Sequence, residues 1–126
     1  MVEETYQKNV LGEKLEECSV DPLTGWLRDG CCNTNEVDFG VHTVCAQVTT
    51  KFLEWAKISG NDLITPHPEY NFPGLKNGDS WCVCAATYAQ SIEAGTACKI
   101  FLKRTNYKTL EIIPLEKLKK YAIDLS

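Results

Sequence analysis

Between Arg28 and Ala46 the chain gathers an Arg-Asp pair, the adjacent Cys31-Cys32, a histidine at position 42 and a further cysteine at position 45. A second stretch, Gly78-Asp79-Ser80-Trp81-Cys82-Val83-Cys84-Ala85, repeats the Val-Cys-Ala of residues 44–46. A thiol beside an imidazole can act as a nucleophile, because cysteine reacts as the thiolate and histidine can take the proton. Cys32 is then the candidate nucleophile, His42 its base, and Asp29 the carboxylate that orients the imidazole, with Asp62 an alternative for that last role. Arg28 could hold an anionic group through a bidentate pair. Cys31, Asn61, Asp62, Asp79 and Trp81 complete the expected ligand-binding set. His42 and Cys45 face opposite ways if both lie in one strand, so a working pair must cross elements, from His42 to Cys31, Cys32, Cys82 or Cys84.

The same residues admit other chemistries. Cys82 and Cys84 share one face of a strand and, with His42 and Cys31 or Cys32, could hold zinc tetrahedrally. No Cys-x-x-Cys is present to support that reading. Cys31 or Cys32 could instead form a disulfide with Cys18, Cys82 or Cys84 across the fold. In a fourth reading the cysteines are small core residues, and the chain is a non-enzymatic accessory or structural subunit of a larger assembly. Small-molecule binding or thiol-assisted catalysis is the reading preferred here; the sequence names neither substrate nor reaction.

Composition narrows the setting. The 126 residues are 44% hydrophobic and 24% charged, which suits one globular core. A net charge of −4 argues against nucleic acid as a partner, since that binding needs a basic footprint. No apolar run approaches the roughly 18 residues of a membrane span, so no membrane association is expected. Met1-Val2-Glu3-Glu4-Thr5 has neither the basic nor the apolar part of a secretory signal. Residues 1–7 read as a solvated tail and residues 8–126 as a single domain. The expected location is cytoplasmic or another reducing intracellular compartment, where the seven cysteines would be thiols.

The elements that must position these groups follow from the pattern. Asn9-Val10-Leu11-Gly12 reads as a short strand, and Asp21-Pro22-Leu23-Thr24-Gly25 as a turn. Residues 41–48 alternate as a strand, followed by a helix that Thr49 or Thr50 can cap and Gly60 can end. Residues 61–80 hold three prolines without a period and read as an ordered loop, either a lid or a wrap. Trp81 to Ala86 is a second strand, with a helix over 87–94 stopped by Gly95. Residues 100–102 and 109–113 read as a β-hairpin. A last helix starts at Pro114, with Leu115, Leu118, Ala122 and Leu125 on its buried face. Two strand-helix units, a hairpin and a final helix make an α+β fold.

The ordered motifs Asn-Val-Leu-Gly, Asp-Pro-x-Thr-Gly, Arg-Asp-Gly-Cys-Cys, His-Thr-Val-Cys-Ala, Gly-Asn-Asp-Leu-x-Thr-Pro, Phe-Pro-Gly-Leu-Lys and Gly-Asp-x-Trp-Cys-x-Cys-Ala resemble the DUF2237 family. That family consists of small, mostly bacterial proteins without an assigned function. The resemblance spans residues 8–122 and implies one compact domain, but no reaction. The chain departs from the family at Thr87-Tyr88, where Arg-Trp is usual, and at Ala97-Cys98, where a proline pair is usual. Cys98 is therefore left out of the expected site.

Overall fold

The computed structural model describes residues 6–125. Strand β1 (His42–Gln47) leads into helix α1 (Thr50–Ile58), and strand β2 (Ser80–Cys84) into helix α2 (Ala85–Ala94). A two-residue strand β3 (Lys99–Ile100) and a short helix α3 (Leu115–Lys119) follow. The sheet is antiparallel in the order β2-β1-β3, so β1 is central. Three helices and a three-stranded sheet in one unit make the chain α+β. No helix among the described residues is long and apolar enough to cross a membrane.

Local chemistry explains the two strand-helix units. The Thr49 hydroxyl accepts the Phe52 N–H and so satisfies one free donor at the start of α1. Gly95, with φ +73°, closes α2 in the left-handed conformation that side chains resist. The repeated Val-Cys pairs fall on the paired strands, with Val44 opposite Val83, while Ala85 of the second repeat opens α2.

Thr43 through Ala46 are all buried, because both faces of the sheet are covered. On one face Val44, Ala46, Trp81, Val83 and Ile100 pack with Phe52 and Leu53 of α1, Tyr88 of α2 and Leu118 of α3. On the other face Cys45 and Cys82 meet Cys18 and Cys32 from the N-terminal segment. Two disulfides join these layers, Cys18–Cys45 and Cys32–Cys82. Buried hydroxyls finish the work of the strand edges: Thr24 accepts the Cys82 N–H at 2.8 Å, and Thr105 the Cys45 N–H at 3.1 Å.

Several expectations are corrected here. Residues 109–113 are not a strand: Tyr107–Glu111 is a 3₁₀ helix, as is Leu102–Arg104, so the hairpin is absent. Buried hydroxyls favour this packing, since Thr109 and Thr43 hydrogen-bond at 2.7 Å and Thr105 Oγ1 donates to the Phe101 carbonyl. The partner that Ile100 takes instead is the C-terminal segment, through Tyr121 O and the Ile123 N–H. That pairing ends α3 early and leaves Leu125 exposed, whereas Leu118 is buried as expected. The Asn9 segment makes isolated bridges rather than a strand. Of the expected solvated tail, residues 1–5 lie outside the described residues. Gln7 is anchored, exchanging two hydrogen bonds with the Thr34 backbone.

The loop after α1 wraps the sheet. Phe72 and Leu75 are buried, and Gly74 (φ +79°) lies so close to the Ile64 carbonyl that a Cβ there would sit 2.4 Å from its oxygen. Asp62 accepts from the Thr65 hydroxyl and from the Thr65 and Ile64 amides, which pulls its carboxyl down to about 2.

Candidate functional site

Where the N-terminal segment and this wrapping loop meet the sheet, they leave a cleft of about 270 Å³. Small-molecule pockets run from roughly 300 to 1,000 Å³, so this one suits a small ligand. Trp26, Tyr70, Phe72 and Trp81 supply aromatic walls, and Arg28, His42, Asn61, His67 and Cys84 bring polar groups to the same space.

His42 is the most constrained of these. Its Nδ1 lies 2.6 Å from Asp38 Oδ1, and its backbone N–H donates to Asp38 Oδ2 at 2.9 Å. The Thr34 hydroxyl donates to the same Oδ2. The Asp38 side chain is fully buried, while 37% of the His42 side chain is exposed. Burial alone would raise the Asp38 pKa, but the His42 side-chain and backbone hydrogen bonds and the Thr34 hydroxyl outweigh it and hold the carboxyl below its ordinary value. With Nδ1 committed to Asp38, Nε2 is the ring nitrogen left for other partners. Trp26 lies parallel to the imidazole, 8° between planes and 5.6 Å between centroids. Gly40 passes so close to the ring that a Cβ there would sit 2.6 Å from Cε1.

Across the sheet, His42 is the register partner of Cys84, and both line the cleft. Cys84 is also the N-cap of α2. Three cysteines are free: Cys31, Cys84 and Cys98. Burial pushes the Cys98 thiol up to about 12. Burial, with the negative charges of Asp29 and Glu17, raises that of Cys31.

Arg28 lines the same cleft. Its guanidinium stacks over Trp81 at 5.1 Å and donates to the Gly25 carbonyl at 2.7 Å. Arg28 (φ +53°), Val41 (φ +51°) and Asn71 (φ +55°) are the non-glycine residues with positive φ among those described. One lines the cleft, one precedes His42, and one joins Tyr70 to Phe72. Such backbone costs on the order of 1–3 kcal/mol per residue and tends to gather at functional sites. For Val41 the cost is sharpest, because a β-branched side chain resists this region.

The structure thus brings together Arg28, His42, Asn61, Trp81, Cys82 and Cys84 of the residues singled out from sequence. It separates the others. Cys32 is fully buried and bonded to Cys82, so it offers no thiolate, and Cys82 offers none to a metal. The sulfurs of Cys18, Cys32 and Cys82 lie within 4.8 Å of one another because the two disulfides pack together, a different set from His42, Cys82 and Cys84. Cys31 borders a separate hollow with Tyr6 and Lys14. Asp29 serves its own turn, accepting the Cys31 N–H and the Asn33 amide. Asp62 holds the loop described above, and Asp79 accepts from Lys76.

Asp38 is the residue that sequence reasoning missed. The signal was its place four residues before His42, just ahead of the strand. Trp26, Tyr70 and Phe72 were missed as lining, since turns and loops carry them.

An α+β unit with a stapled N-terminal segment and an aromatic, histidine-bearing cleft is the class that fold and site define. The chain belongs to DUF2237, described as an uncharacterized protein conserved in bacteria, whose family model matches residues 8–122. Among curated proteins none matches the chain.

Proposed function

We propose that the cleft binds a small molecule and that Cys84 reacts with it, His42 taking the thiol proton and Asp38 positioning His42. The cross-strand placement of His42 opposite Cys84 in the lining of one cleft is the observation that carries this reading. Three features support it. The buried Asp38 fixes one ring nitrogen and leaves Nε2 free to act as base. Cys84 sits at the N-terminus of α2, where the helix dipole favours negative charge, with the Ala85 N–H taken by the Val41 carbonyl. Cys31 and Cys98 are poor competitors, since both thiols are held above their ordinary pKa.

With an electrophilic carbonyl, the Sγ lone pair would form the S–C bond, the carbonyl π pair would move onto oxygen, and the thiol proton would pass to Nε2. In this step Cys84 and His42 would act on the reacting atoms. Asp38 acts through His42.

A chloroacetamide carrying an aryl group tests this. Its labelling displaces chloride, forms one S–C bond and gives a fixed mass increment. The expected result is one adduct per chain, on Cys84, with a rate that saturates as reagent concentration rises. Labelling linear in reagent, or spread over Cys31 and Cys84 alike, would show simple exposure and not a binding cleft.

A further inference from the structure

We infer that the ligand of this cleft is a small organic anion with a planar apolar body, its negative group held by Arg28. The inference rests on the cleft being a ligand site, and it adds the chemical class. The chain carries 17 acidic residues against 13 basic ones, yet none of the residues lining the cleft is acidic. Asp38 lies beneath His42 with its side chain fully buried, and Glu69 engages His67 at 3.2 Å. No carboxylate among the described residues forms a salt bridge with Arg28.

One guanidinium nitrogen is spent on the Gly25 carbonyl, and the Trp81 ring beneath it helps hold the group in place. A guanidinium held this way has donors in a fixed fork that match a carboxylate. Its left-handed backbone places it there at an energetic cost, as expected of a group positioned for use. Beside it, the exposed Trp26 offers a flat apolar surface, the small exposed parts of Phe72 and Trp81 continue the apolar lining, and Tyr70 has most of its surface exposed. A cation would meet Arg28 without a compensating carboxylate. A neutral polar molecule would leave that charge unanswered.

Benzoate and benzamide differ in charge and hardly in shape, so they separate anion recognition from aromatic packing. Titrating each into the intact protein, followed by the amide and indole resonances, should show benzoate shifting the Trp26 and Trp81 indoles saturably. Benzamide should bind at least roughly tenfold more weakly, a difference of about 1.4 kcal/mol. Arg28→Gln should remove the preference, and Arg28→Lys should restore part of it. Arg28 is exposed, so both variants should keep the fold, and an unchanged spectrum away from the cleft verifies this. Equal binding of the two probes, a preference that survives Arg28→Gln, or no binding of either would overturn the inference. Saturable labelling of Cys84 by a neutral reagent would still stand after any of these, so the two readings fail separately.

Discussion

Replacing Cys32 and Cys82 together by alanine is expected to lower unfolding stability by about 4 kcal/mol, and replacing Cys18 and Cys45 by roughly 3.5 kcal/mol, from the chain entropy that closing 50- and 27-residue separations removes from the unfolded state. A mutant cycle over both pairs should fall short of the sum, because the two loops overlap and the sulfurs share one cluster. Residues 7–16 are held separately, by Val10 in the main core and by hydrogen bonds to Thr105, Lys103 and Thr34. The effect is large because the segment of residues 18–32 buries few large apolar side chains. Leu23, Trp26 and Leu27 are all exposed, and the segment's contact with the sheet runs through the sulfurs and a few buried hydrogen bonds such as Thr24 to Cys82. The same segment carries Trp26 and Arg28 to the cleft, so losing the disulfides should weaken ligand binding as well as stability. Urea unfolding of the wild type and the three variants, with and without reductant, checks this. A loss below about 1 kcal/mol for both pairs would mean that the bonds do not hold the segment.

Asp38→Asn should have the larger functional effect. It keeps the shape but replaces a carboxylate that accepts from His42 Nδ1, the His42 backbone and Thr34. An amide cannot accept all three, so the imidazole loses its fixed tautomer. We expect the labelling rate of Cys84 to fall on the order of a hundredfold, the usual scale for a misplaced general base, while labelling of Cys31 stays constant. Gly40→Ala should produce part of the same loss by a different route, since its Cβ would push the ring aside. The pH dependence follows from the lowered Asp38 pKa. Its stabilising contribution is fully present above the ordinary aspartate value near about 3.9, and is lost as pH falls through the lower folded value. Acid unfolding of Asp38→Asn should therefore lack that component. An unchanged Cys84 rate in Asp38→Asn would remove Asp38 from the account.

The sequence made the scaffold legible where a local rule governs. Thr49 as a cap, Gly95 as a stop and the β1-α1 and β2-α2 pairing all follow from propensity and period. It failed after residue 100, where apolar residues that could alternate as strands instead serve 3₁₀ turns held by buried threonines. That choice belongs to tertiary packing. At the site, Arg28, His42, Asn61, Trp81 and Cys84 could be picked out by residue type. Which thiols survive as thiols could not, because pairing Cys18 with Cys45 depends on a loop landing on one sheet face. Asp38 was hidden similarly: it looks like any loop aspartate until the chain folds back on His42.

The most direct test of the central claim is the alkylation rate of each free thiol in the wild-type protein and in His42→Ala, read peptide by peptide across pH. Cys84 is expected to react first in the wild type, ahead of Cys31 and Cys98, and His42→Ala to slow Cys84 alone. If Cys31 reacts first, or if the Cys84 rate is indifferent to His42, the two residues do not work together and the cleft is not a thiol site.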